Sequence, residues 1–313
     1  MSRPRSRFVE PCCALVAGLL SWPHSALAQA CCAGSGVVTP GRLALHDSAL
    51  VGVQFKAALE HGSFDDHGAY YGLPHGASEL DLEQDWFAAL RVVERGQVAL
   101  LVPLAESRRT SAGRSEFGGG IADLNLNFRY DFVRAGESVW LPGIGVLAGL
   151  TFPTGTPPDA PHLRPLATDA TGIGAFQANL GLALEQAFGP WLVTATGMVA
   201  KRTARTVQQA GLEVHEQLAS QWTALAACAY VFPSEVALAL SASYTVEGQA
   251  TINGQLAPGS ARRATALSAS SLLPVGDHVR LQASLWDNPP IAHTSSNQLA
   301  SVGVGATAVY AWF

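Results

Sequence analysis

The sequence predicts an all-β chain: a transmembrane antiparallel up-and-down β-barrel of about twelve strands, with short periplasmic turns and longer outer loops. Three observations predict it. Strand-length segments alternate apolar and polar residues with period two, which gives each strand one apolar and one polar face. The connections between them alternate between short and long, the organisation of an outer-membrane barrel. The chain is apolar, with 48% hydrophobic residues, 14% charged residues and a mean hydropathy of +0.19. Yet after the first thirty residues it contains no apolar run of about 18 or more residues, which a spanning helix needs.

The elements follow in order. Arg3, Arg5 and Arg7 precede a short apolar run from Cys12 to Trp22, and Ala26-Leu27-Ala28 and Ala28-Gln29-Ala30 offer small-x-small cleavage sites. Residues 1–30 therefore read as a secretory signal peptide. A lipidated Cys31 would want Leu three residues earlier, where Ala28 stands, so the leader is read as non-lipidating. Residues 31–47 form a short segment, either a periplasmic tail or a small plug, with the tail favoured. The barrel is expected over 48–313.

Its first strand, 48–60, sets Val51, Val53, Phe55, Ala57 and Leu59 against Gln54, Lys56 and Glu60. The second, 79–93, sets Leu80, Leu82, Trp86, Ala88 and Leu90 against Glu79, Asp81, Glu83, Asp85 and Arg91. The clearest is 120–134, where Leu124, Leu126, Phe128, Tyr130 and Phe132 alternate with Asp123, Asn125, Asn127, Arg129 and Asp131. In 172–188, Phe176, Ala178, Leu180, Leu182 and Leu184 alternate with Gln177, Asn179 and Glu185. In 278–287, Val279, Leu281, Ala283 and Leu285 alternate with His278, Arg280 and Gln282. The remaining strands are placed at 97–105, 139–152, 191–205, 215–232, 236–250, 261–275 and 298–313; those at 97–105, 191–205 and 261–275 alternate least, and ten or fourteen strands remain alternatives. Short turns fall near Glu94-Arg95-Gly96, Ala135-Gly136, Gly189-Pro190, Pro233-Ser234 and Gly276-Asp277. Long loops are expected at 61–78, 106–119, 153–171, 206–214, 251–260 and 288–297. Aromatic residues, among them Trp86, Phe87, Tyr130, Phe132, Trp140, Trp191, Tyr230 and Phe232, gather near strand ends, where a membrane interface would sit. A soluble β-sandwich also alternates, but its strands are shorter, near six residues.

Residues 118–155 carry a recognisable pattern. Gly118-Gly119-Gly120-Ile121-Ala122-Asp123 opens one strand, Pro153-Thr154-Gly155 closes the next, and Thr171-Gly172-Ile173-Gly174 precedes a third. This resembles the outer-membrane barrel family labelled as components of a MetA-pathway of phenol degradation. The resemblance covers roughly 117–205. It implies a transporter-like barrel in the bacterial outer membrane and, more loosely, aromatic or otherwise poorly permeant solutes. The run ending in Phe313 resembles the terminal-strand signal by which such barrels engage the barrel-assembly machinery.

On a barrel the polar face lines the lumen. The expected lumen therefore holds Lys56, Glu60, Asp81, Glu83, Asp85, Arg91, Asp123, Asn125, Asn127, Arg129, Asp131, Gln177, Asn179, Glu185 and Arg280, with Gln54, Gln221 and Gln282. Acids lead, so a constriction there would favour cations or polar neutral solutes. The same set equally suits an internal network that stiffens a narrow barrel. The function expected is passive passage of small solutes; the alternative is a non-conducting structural or surface-binding barrel. The partners expected are outer-membrane lipid and a small solute. Nucleic acid is excluded by a net charge of −5 and only two lysines. No enzyme activity, cofactor or metal is expected. His293 and Ser295 have the His-x-Ser spacing of barrel lipid hydrolases but no further support. His61, Asp65, Asp66, His67 and His75 match no metal-ligand spacing. Gly118-Gly119-Gly120 lacks the Lys and helix of a phosphate loop.

Overall fold

In the computed structural model the described residues are 41–138, 140–158, 164–209 and 212–313. The expected signal peptide, 1–30, and residues 31–40 of the segment after it lie outside them. The strands are β1 (Ala49–Phe64), β2 (Tyr70–Gly72), β3 (Ser78–Val93), β4 (Gly96–Ser111), β5 (Arg114–Ile121), β6 (Leu124–Val133), β7 (Gly143–Phe152), β8 (Gln177–Phe188) and β9 (Trp191–Arg202). They continue as β10 (Arg205–Gln209), β11 (Leu212–Gln217), β12 (Gln221–Val231), β13 (Ala237–Glu247), β14 (Thr251–Ile252), β15 (Gln255–Leu256), β16 (Arg262–Val275), β17 (Val279–Asp287) and β18 (Gln298–Trp312).

The wall runs β1-β3-β4-β6-β7-β8-β9-β12-β13-β16-β17-β18, every pair antiparallel, and β18 returns to pair with β1 from Ala49↔Trp312 to Phe64↔Gln298. β5 continues the β6 position along β4, so the closed barrel has twelve strands. Closure leaves no free sheet edge in the wall, which a bilayer demands because lipid cannot satisfy a bare N–H or C=O. No helix among the described residues is long and apolar enough to cross a membrane.

Register and burial assign the two faces. Along β1, Val51, Phe55 and Leu59 are exposed while Leu50, Gln54 and Glu60 are buried. Across the wall Leu100, Phe128, Leu180, Leu182, Leu240, Leu267, Leu285 and Val304 point outward. These would be costly in water and are at home in hydrocarbon. At the short-turn end the outer face carries edge-to-face rings: Tyr130 on Phe132, Trp191 on Tyr230, Tyr230 on Phe232 and Tyr310 on Trp312, each pair with centroids 4.9 Å apart. Such a girdle marks a bilayer interface. Phe87 does not belong to it. It faces inward and packs over Gly52, where a Cβ would overlap the ring. Two inner apolar clusters close the short-turn end, one around Leu192, Ala229, Ala237 and Leu272, the other around Leu43, Leu50, Phe87, Ala99 and Ala311.

Three expectations are corrected. Residues 106–119 are not a long loop: β4 and β5 run on to a two-residue turn at Ala112-Gly113, both with positive φ, the geometry of a tight hairpin. The hairpin stands clear of the apolar band, so its strands need no apolar face and Arg108 and Arg109 hid them. The connection between β6 and β7 spans residues 134–142, longer than the other turns at its end. Residues 215–220 are not part of the β12 wall strand. Instead β10 and β11 form a hairpin that joins β14 and β15 in a separate four-stranded sheet built from two outer loops.

Candidate functional site

The inner face is where the chain concentrates its polar chemistry. Alternation sends every second residue of a strand inward, and the neighbours in register settle which. On β1 and β3, Lys56 reaches Glu83 at 2.9 Å and the wholly buried Asp85 at 2.7 Å. Towards the long-loop end Ser107 donates to Asp81 at 2.5 Å and Arg109 donates to Glu79 at 2.6 Å. Glu60 is buried beside this row. On the facing strands Arg129 binds Asp131 at 2.8 Å and Glu185 at 2.9 Å. Gln177 donates to Asn179 at 2.9 Å and accepts from Arg202 at 2.8 Å; Arg202 also pairs with Glu247 at 2.5 Å and donates to Gln221. Gln54 donates to Thr307 at 3.1 Å. Most of the charged set is thus engaged in pairs, while the carboxylates of β1 and β3 outnumber their cations.

Arg91 and Asp123, both in the expected lumen set, do something else. Arg91 turns to the short-turn end and donates to the carbonyls of Ala44 (2.6 Å), Leu45 (3.2 Å) and Asp47 (2.8 Å). Asp123 sits at the break between β5 and β6 and accepts the N–H groups of Gly155 at 3.0 Å and Ile173 at 2.6 Å. Thr154 donates to the Ala122 carbonyl at 2.7 Å, and Thr171 donates to Ile121 at 2.9 Å. The three sequence fragments at 118–123, 153–155 and 171–174 therefore meet in one knot that ties the 153–176 loop to the wall. Glycine is needed there: a Cβ on Gly155 would run into Gly172, and one on Gly172 into the Asp123 carboxylate. Further along, Arg109 donates to the Leu166 and Ala167 carbonyls at 3.1 Å and Glu116 accepts the Leu166 N–H at 2.9 Å.

Residues 41–47 enter the short-turn mouth. Arg42 grips Glu185 through two 2.6 Å bonds. Gln97 accepts the Leu43 N–H at 3.0 Å and donates to the Gly41 carbonyl at 3.1 Å. Leu43 is buried in the cluster with Phe87 and Ala311. Arg280 binds Asp47 through two bonds of 2.7 and 2.6 Å, both residues buried. Arg42 and Asp47 have no alternating strand context, which is why sequence reasoning passed over them. Of the segment expected as a periplasmic tail or small plug, residues 41–47 pack inside the barrel wall.

Above this segment lies a cavity of about 230 Å³, bounded by Gly41 and Arg42 below and by Asn125, Asn127, Asn179, Thr194, Thr196 and Met198 on the walls. On the opposite side Trp286 lies flat on Gly303, where a Cβ would overlap its ring. The other candidate groups are spoken for. Ser295 is fully buried and its Oγ accepts the Thr265 N–H at 3.1 Å, while His293 Nδ1 faces the His67 carbonyl at 3.1 Å. Asp65, Asp66 and His67 cluster on the surface of the first outer loop. There Asp65 accepts the N–H groups of Ala69 (2.8 Å) and His67 (3.0 Å), and these backbone bonds, Ala69 first, lower its pKa. It is a turn-forming carboxylate.

The fold and its lined interior define a transmembrane β-barrel of the outer-membrane type. An outer membrane channel from Pseudomonas putida F1 superimposes with a TM-score of 0.69 at 14% identity, covering 85% of this chain and 96% of that one. The translocator domain of the autotransporter NalP from Neisseria meningitidis aligns with a TM-score of 0.49 at 13% identity, covering 91% of this chain and 94% of its own. At 14% identity the likeness to that channel is one of fold. No family model matches the chain, and no curated protein matches it.

Proposed function

We propose that this chain is a bacterial outer-membrane channel for the passive passage of small solutes, aromatic or hydrophobic compounds among them. One observation carries the reading: a closed barrel with an apolar outer face holds charged and amide side chains around an internal cavity of about 230 Å³. A barrel that served only as a wall would have no need to keep polar groups about an open space. Lys56, Glu60, Asp81, Glu83 and Asp85 form the acidic side of the path, and Asn125, Asn127, Arg129, Asp131, Gln177, Asn179 and Glu185 the facing side. Carboxylates in excess favour cations and neutral polar solutes over anions. Arg91 and Arg280 hold the N-terminal segment, and Asp123 fixes the outer loop. The short-turn end faces the periplasm, the outer surface meets outer-membrane lipid, and the strand ending at Phe313 is offered to the barrel-assembly machinery. The three motif fragments tied together at Asp123 support kinship with the phenol-degradation-labelled barrels. The work is binding and passage without catalysis, since a buried Ser295 has no route to a lipid ester.

A second reading, a non-conducting barrel acting through its loops, is favoured by residues 41–47 packed in the mouth. Planar-bilayer conductance of the folded mature protein separates the two. Steady, weakly cation-selective channels are expected. A silent bilayer, with folding verified by heat-modifiable migration, would reject the open-channel reading.

A further inference from the structure

The cavity above residues 41–42 is more selective than a water-filled gap. Asn127, Gly149 and Asn179 lie at one height on three neighbouring strands, paired Asn127↔Gly149 and Gly149↔Asn179. The glycine between them lets both amides lean over its Cα: a Cβ there would come within 2.7 Å of Asn127 Oδ1 and 3.2 Å of Asn179 Nδ2. The row so presents a hydrogen-bond acceptor and a donor side by side. Asn179 Oδ1 is held by Gln177, which fixes that amide's orientation and leaves its NH₂ toward the cavity. Thr194, by contrast, lies opposite Glu185 at the floor, six residues along the wall from the Asn179 row. Met198, Leu101 and Leu147 supply apolar wall. The ionic groups at the floor cancel: Arg42 and Arg129 are matched by Glu185 and Asp131. The cavity thus offers no net charge to attract or repel an ion.

From these contacts we infer that the cavity is a binding site for a neutral, single-ring solute that carries a donor and an acceptor together, such as a carboxamide. Size agrees, since a dry cavity of about 150 Å³ accepts benzene and this one is about 230 Å³. The ring packs on Met198, Leu101 and Leu147. The polar group donates to Asn127 Oδ1 and accepts from Asn179 Nδ2. This deepens the channel reading by naming a solute class for its interior.

The test is direct binding to the folded full-length mature protein in detergent, by calorimetry, with three probes of similar size: benzamide, benzoate and toluene. Benzamide is expected to bind best, benzoate and toluene each at least about five-fold more weakly, as loss of a neutral hydrogen bond predicts. Asn127→Ala is expected to weaken benzamide by a similar factor while leaving toluene unchanged. Gly149→Ala, which crowds both amides, is expected to abolish benzamide binding. Equal binding of benzamide and benzoate, no benzamide binding at all (a cavity holding water only), or unaltered affinity in Asn127→Ala would each overturn the site. Conductance is measured on the same preparations. Channels without benzamide binding sink the site and leave the channel. Benzamide binding in a silent bilayer sinks the channel and leaves the site.

Discussion

Arg42→Ala tests whether residues 41–47 limit flow. The wild-type guanidinium holds Glu185 with two 2.6 Å bonds, and both side chains are largely withdrawn from solvent. Charge-assisted bonds of this kind contribute about 1.5–3 kcal/mol each to a structure. Truncation does not strand the carboxylate, because Arg129 remains 2.9 Å from Glu185. The penalty of an unpaired buried charge, about 3–5 kcal/mol, is therefore avoided, and the loss of the two bonds, about 3–6 kcal/mol, falls on the seating of the segment. At about 1.4 kcal/mol per factor of ten, the unseated population rises by roughly two to four orders of magnitude. The remaining anchors, Gln97 on the backbone of 41 and 43 and Arg280 on Asp47, keep most molecules seated. The expected record is a low-conductance baseline broken by frequent larger openings, with the barrel still heat-modifiable. Asp47→Ala should act more strongly, since it leaves Arg280 buried without its carboxylate. Single-channel recordings of Arg42→Ala indistinguishable from wild type in amplitude and open probability would refute the argument that this segment sets the opening.

Three further outcomes follow from local geometry. Asp123→Ala removes the acceptor for the Gly155 and Ile173 N–H groups, so about 3–6 kcal/mol of loop anchorage is lost by the same per-bond figure; limited proteolysis should then cut within 153–176 while the barrel stays folded, and an uncut loop would contradict the knot. Gly303→Ala places a methyl in the Trp286 ring and should cost about 1–3 kcal/mol by overpacking, read as a lower unfolding temperature together with a shifted tryptophan emission; an unchanged protein would show that the indole does not rest there. At Asp65 the backbone bonds from Ala69, His67 and Gly68 lower the carboxyl pKa, so its turn is stabilised above the ordinary carboxylate range and loosens as pH falls through the lowered value. Hydrogen exchange of 65–69 should rise on acidification in the wild type and lose that pH dependence in Asp65→Asn.

How much was legible in the sequence depends on what each element had to satisfy. β1, β3, β6, β8 and β17 lie between lipid and a polar interior, so each residue's neighbour in the chain faces the opposite solvent and alternation exposes both faces. Where the inner face is itself small and apolar, as at Leu225, Ala227 and Ala229 on β12 or Ala237 and Ala239 on β13, alternation fades and strand limits blur. Beyond the bilayer the constraint vanishes, which is why the β4–β5 hairpin and the sheet of β10, β11, β14 and β15 gave no signal. Asp123 carried a motif but not its meaning: only folding brings Gly155 and Ile173, far along the chain, to its two oxygens.

By itself, then, the chain determined an antiparallel barrel of about twelve strands with one apolar and one polar face, because a period-two pattern is a local property that burial in lipid enforces residue by residue. Tertiary structure alone decided that residues 41–47 lie within the mouth, that Glu185 serves Arg42 as well as Arg129, and that Asn127, Asn179 and Thr194 share one cavity. Those relations join groups on different strands or more than a hundred residues apart. They arise from closure of the wall, a global event that leaves no periodicity behind in the sequence.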